Sequence, residues 1–115
     1  MHVIVEMPEF THKAKESGIS DEERAAIISF IAANPQAGDE IRGTGGTRKV
    51  RIAAKGKGKS GGARVITFYS GEDIPVFLLT MYVKGQKENI SDAEKNTIKT
   101  LCGLIADEYR RRKDT

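Results

Sequence analysis

The 115-residue sequence predicts an α+β domain in the order β-α-α-β-β-β-α, an antiparallel sheet carrying an N-terminal helical hairpin and a C-terminal helix. Three observations carry that prediction. Ser20-Asp21-Glu22-Glu23 and Ser91-Asp92-Ala93-Glu94 each place Ser at a helix start with Glu three residues on, ahead of an apolar stripe. Residues 48–53 alternate between basic and apolar, the period of a half-buried strand. Two runs, RVITFY and VFLLTMYV, are rich in β-branched and aromatic residues and are separated by a polar turn.

Taken in order, HVIVE at residues 2–6 is short and β-branched and reads as the first strand. Pro8 suits the first turn of a helix to about Ser17, where its missing N–H costs nothing, and Gly18-Ile19 reads as its stop. Ser20 opens the second helix; Asp21, Glu22 and Glu23 favour its positive end, and Ile27, Ile28, Phe30 and Ile31 form its apolar stripe. Asn34-Pro35 ends it, because a residue before proline avoids helical angles. Gln36 to Thr47 reads as a connecting loop. From Arg48 to Ala53, Val50 and Ile52 take one face and Lys49 and Arg51 the other. Lys55 to Gly62 is a charged hairpin loop. Arg64–Tyr69 and Val76–Val83 are apolar on both faces, as central strands are, and Ser70–Asp73 turns the chain between them. The last helix has its stripe at Ile98, Leu101, Cys102, Ile105 and Tyr109 and closes on Arg110–Lys113, cations suited to a C-terminal end.

Charge is segregated along this framework. Residues 42–64 hold eight cations (Arg42, Arg48, Lys49, Arg51, Lys55, Lys57, Lys59 and Arg64), seven of the twelve glycines and no acid, while the rest of the chain carries 11 basic against 16 acidic residues. A net charge of +3 thus hides a strongly basic segment on an acidic remainder. Clustered cations on a glycine-rich scaffold are the footprint of nucleic-acid or polyphosphate binding. In a meander, Lys55 after one strand, Arg64 at the start of the next and Lys84 at the end of the third fall at one end of the sheet. Tyr82, two residues before Lys84, shares its face, and Lys59 and Lys87 lie nearby in sequence. Glu72 and Asp73 mark the opposite end.

Other function classes fit less well. Cys102 has no partner in the chain and no Cys/His set has zinc spacing, which suits a reducing, cytoplasmic setting and predicts no metal or cofactor. No apolar run approaches the length of a membrane span, MHVIVEMPEF lacks the basic start of a signal peptide, and residues 1–115 are expected to form one domain. Gly56-Lys57-Gly58-Lys59-Ser60-Gly61 fits a dinucleotide fingerprint in letters only, since a strand follows where a helix is required. His2 and His12 sit on the first strand and first helix, away from the basic segment, and read as packing or surface residues. Chemistry at the basic end falls to Lys, Arg and Tyr. Such groups suffice for RNA, whose own 2′-hydroxyl is the nucleophile, provided they align it and neutralise the growing charge.

Over nearly its whole length the chain resembles the RelE/HigB-type toxins of bacterial type II toxin–antitoxin systems. The resemblance runs through the early helical hairpin, Asn34-Pro35 with Gly38-Asp39, Gly43-Thr44-Gly45-Gly46, Arg48-Lys49-Val50-Arg51, Lys55-Gly56-Lys57-Gly58-Lys59, Gly61-Gly62-Ala63-Arg64 and Leu79-Thr80-Met81-Tyr82 leading to Lys84. It implies metal-independent cleavage of messenger RNA in the ribosomal A site, and neutralisation by an antitoxin, often of helix-turn-helix type. It also implies roles for individual residues. Arg64 matches the phosphate-stabilising arginine, and Lys84 the basic residue at the end of the last strand. Lys55 and Lys57 match the basic loop that supplies a base and a backbone clamp. Arg48, Lys49, Arg51, Lys59 and Lys87 join the RNA-binding set. The chain departs from better-known members in having no tyrosine between Gly85 and Asn89, which leaves Tyr82, inside the strand, as the available one. Two alternatives share the scaffold or the charge: a non-enzymatic, ParE-like inhibitor of DNA gyrase, and an RNA-binding module without catalysis.

Overall fold

Strand β4 (Ala63–Phe68) is the middle of the sheet, and its composition explains why: all six residues, ARVITF, are buried. The computed structural model describes residues 2–53, 62–83 and 89–113. Around β4 the elements are β1 (Ile4–Glu6), α1 (Pro8–Glu16), α2 (Asp21–Ala33), β2 (Asp39–Glu40), β3 (Thr47–Ile52), β5 (Val76–Val83) and α3 (Asp92–Lys113). The sheet order is β1-β5-β4-β3-β2.

The expected elements form within two residues of the expected bounds, with two additions. The loop from Gln36 to Thr47 contains the two-residue strand β2, pairing Asp39 with Lys49 and Glu40 with Arg48. β1 runs parallel to β5, from Ile4 opposite Val76 to Glu6 opposite Leu78, so an antiparallel set of four strands becomes a mixed sheet of five. The helical hairpin makes that pairing possible, because it carries the chain from β1 at one edge of the sheet across to β2 at the other, and leaves the place beside β1 open for β5.

Local chemistry sets the helix ends. Ser20 Oγ accepts from Glu23 N–H while Glu23 Oε1 accepts from Ser20 N–H, both at 3.0 Å, and Ser91 and Glu94 repeat the exchange at the start of α3. At the end of α1, Gly18 N–H donates to Lys15 O and Ile19 N–H to Ala14 O, which closes the helix and buries Ile19. Gly38 is required at the approach to β2: its φ is +94°, and a Cβ there would lie 2.5 Å from Lys49 O.

Two apolar layers sandwich the sheet. On one face, Phe10, Ala14, Ile27 and Ile31 of the hairpin pack against Val50, Ala63, Val65, Val76, Leu78 and Met81. On the other, Ile98 and Cys102 of α3, with Leu101, Ile105 and Tyr109, cover Ile66, Phe68, Phe77, Leu79 and Tyr82. A bulge in β5 decides which face Tyr82 takes. Ile66 pairs with Thr80 but Thr67 with Leu78, so Leu79 is extra in β5. Beyond it the side-chain alternation inverts, and Tyr82 lies on the α3 face with Phe77 instead of on the hairpin face with Val76 and Leu78. His2 packs against Tyr69, with Nε2 2.8 Å from Ile74 O, and His12 is an exposed partner of Glu16. No helix among the described residues is long and apolar enough to cross a membrane.

Candidate nucleic-acid interface

The end of the sheet where β3 stops, β4 starts and β5 stops is in register: Ile52, Ala63 and Val83 lie side by side. One residue inward on the α3 face, Arg51 pairs with Arg64 and Arg64 with Tyr82, forming a row across three strands. Lys49 stands in the next row, beside Ile66 and Thr80. Four of the expected residues are therefore brought onto one face by pairing alone, from positions more than thirty residues apart in sequence.

Their environments differ. Arg51 is exposed and makes no hydrogen bond or ion pair among the described residues. Arg64 is 5% exposed, and its Nη1 donates to Ala63 O at 3.3 Å. Tyr82 is 8% exposed, with its hydroxyl enclosed. Two guanidinium groups directly opposite one another on a sheet repel, and such pairs lower stability. An anion held between the charges turns that repulsion into attraction for a ligand.

Beside the row, a cleft of about 420 Å³ opens between the β2–β3 edge and the start of α3. Arg42, Lys49 and Lys95 line it together with Asp39 and Glu40. Lys95 stands outside the sequence-based set. Its signal was the helix phase of α3, which turns Lys95 toward the sheet beside the apolar stripe of Ile98 and Cys102, but a lone lysine in a mixed-charge turn does not announce itself.

Arg48 is not part of the group. It lies on the opposite face, and its guanidinium bonds Glu40 at 3.3 Å and Gly38 O at 3.4 Å, tying β2 to β3. The same holds for three of the glycines. Gly43, Gly45 and Gly46 have φ of 78°, 79° and 120° and build the β2–β3 turn, with Thr44 and Thr47 hydroxyls buried inside it, at the sheet end away from the row. Lys55, Lys57, Lys59, Lys84 and Lys87 lie outside the described residues. The chain leaves β3, enters β4 and leaves β5 at the row's end of the sheet, with Glu72 and Asp73 at the other.

Compared with known protein families, residues 3–112 match the model of the RelE toxin of the RelE/RelB toxin–antitoxin system. The chain belongs to the RelE toxin family. It is accordingly a toxin-type component with a cognate antitoxin as its partner, and the α+β fold agrees with the expectation from the resemblance.

Proposed function

We propose that this RelE-family toxin is a ribosome-dependent, metal-independent endoribonuclease that cleaves messenger RNA in the A site and so stops translation. The observation that supports the reading is the cross-strand row Arg51–Arg64–Tyr82, flanked by the cleft of Arg42, Lys49 and Lys95. In the proposed step the 2′-hydroxyl of one nucleotide attacks the adjacent phosphorus. The P–O5′ bond breaks, leaving a 2′,3′-cyclic phosphate and a 5′-hydroxyl; one proton leaves the 2′-oxygen and one reaches the 5′-oxygen. Two negative phosphoryl oxygens gather charge on the way. A guanidinium, charged at any working pH and able to bond two oxygens at once, is the group to stabilise them, and that role falls to Arg64. Arg51, Lys49, Arg42 and Lys95 hold the flanking phosphates. Proton transfer is assigned to a lysine of the set Lys55, Lys57 and Lys84, the group that the family resemblance implies for that role. Tyr82 orients the nucleophile.

The burial of Arg64 fits this order of events. Its charge acts in a medium of low dielectric, where attraction to a phosphate far exceeds that at the surface. In this reading RNA first meets the exposed Arg51 and then the buried Arg64 beside it.

Arg64→Lys tests the reading. After induction in cells, messenger 5′ ends are mapped for wild type and variant, and ribosome association is measured by co-sedimentation. Wild type is expected to produce new 5′ ends within translated codons. The variant is expected to keep ribosome binding within about twofold while losing about 100-fold or more in cleavage, the scale of removing one oriented donor. Intact messages alongside relaxed or broken DNA refute the nuclease reading in favour of gyrase. Equal loss of binding and cleavage reduces Arg64 to a docking residue.

A further inference from the structure

A small groove lies beside the row, on the hairpin side of the same sheet end. It has a volume of about 230 Å³ and is lined by Glu23, Ala26, Ile27 and Phe30 of α2 and by Arg51, Ile52 and Ala53 at the end of β3. The four α2 residues are spaced i, i+3, i+4, i+7, one stripe on the margin of the helix's buried face. Phe30 is 44% exposed, one of the few large apolar side chains among the described residues left so open to water. Ala26 and Ala53 are exposed too. The β3 edge is bare here among the described residues, since β2 reaches only Arg48 and Lys49. An apolar surface edged by charge, next to an unpaired strand edge, marks a place for a partner.

We propose that this groove receives one apolar side chain of an acidic segment of the cognate antitoxin, and that a carboxylate of the same segment then meets Arg51. The size selects the occupant, because sites for nucleotides and cofactors run to roughly 300–1,000 Å³ and this one is smaller. The charge selects it as well. Glu23 lies on the α2 side of the groove and Arg51 on the β3 side, with Arg64 opposite Arg51 in the row, so a segment crossing the β3 side at this end of the sheet gains by being acidic there. Arg51 joins the two surfaces: it borders the groove and opens the Arg51–Arg64–Tyr82 row. A segment anchored at Phe30 thus extends over the cations that RNA would use, which ties neutralisation to a single anchor. The inference rests on family membership and not on the nuclease reading, and it stands if the target proves to be gyrase.

The test uses the full chain and its cognate antitoxin. Ala26→Arg fills the groove from an exposed helix position that is not itself in the row, and Phe30→Ser empties the anchor wall as a second variant. Thermal melts establish that both fold. Each variant is expected to bind the antitoxin at least about tenfold more weakly, about 1.4 kcal/mol, and to remain toxic in cells that also express it. Glu72→Ala, at the opposite end of the sheet, is expected to leave affinity unchanged. Unchanged affinity in both groove variants overturns the proposal, as does release by Glu72→Ala alone. Sedimentation of the toxin without antitoxin covers the remaining occupant. A dimer that Ala26→Arg converts to monomer makes the groove a contact between copies, and overturns the proposal as well.

Discussion

Replacing Arg51 with threonine separates what the Arg51–Arg64 pair costs the fold from what it contributes to the site. Directly opposed residues on adjacent strands hold their Cβ atoms about 5 Å apart, and like unit charges about 6 Å apart in a water-like medium repel by about 0.7 kcal/mol. That value is a lower bound on the repulsion, since Arg51 is exposed but Arg64 is buried. Threonine also suits a strand, so the electrostatic part must be isolated by salt. In low salt Arg51→Thr is expected to raise Tm by about 3 °C, taking about 2.1 cal/mol/K of unfolding entropy per residue. Near 1 M salt the screening length falls to about 3 Å and the electrostatic gain should vanish, leaving only the strand-propensity part. Association with RNA should move the other way: affinity falls, and the slope of log K against log salt drops by about 0.7–0.9 for the single lost phosphate contact. Melts across a salt series and a filter-binding series with one RNA measure both. A destabilised variant in low salt, or an unchanged RNA slope, refutes the claim that these two arginines are held together for an anion.

Gly38→Ala should cost about 1–3 kcal/mol, since a Cβ is forced into Lys49 O at a positive φ; a urea midpoint unchanged from wild type would show that β2 is dispensable. Cys102 is driven by burial from 9.0 up to about 11. Below pH 9 the thiol is protonated folded and unfolded alike, and between about 9 and 11 the unfolded chain loses its proton first. Stability is therefore expected to fall through that window by more in wild type than in Cys102→Ala, as read from urea midpoints at pH 8 to 10.5. Parallel curves for the two proteins would sink the assignment.

Much of the frame was legible because its signals are local. The capping boxes at Ser20 and Ser91 each use four consecutive residues, and both form. The alternation of Lys49, Val50, Arg51 and Ile52 needed only the period of a strand, and the all-apolar runs announced the middle of the sheet. β2 is hidden in the sequence because two residues, Asp39 and Glu40, carry no periodicity and are poor strand formers. Gly43, Gly45 and Gly46 read as room for phosphate because a glycine shows no sign of whether it serves a ligand or a turn. Arg48 groups with its neighbours by charge, although its strand phase places it with Val50 and Ile52, away from Lys49 and Arg51.

By itself the sequence determined the longer elements, their order and the segregation of charge, since each follows from residues close along the chain. Tertiary structure decided which of those cations meet. Register placed Arg51, Arg64 and Tyr82 in one row, and the extra residue at Leu79 turned Tyr82 onto the face of Arg64. The physical reason is that a strand's side chains alternate with a period of two: one inserted residue reverses every side chain beyond it, and only pairing with a distant strand reveals where that insertion falls.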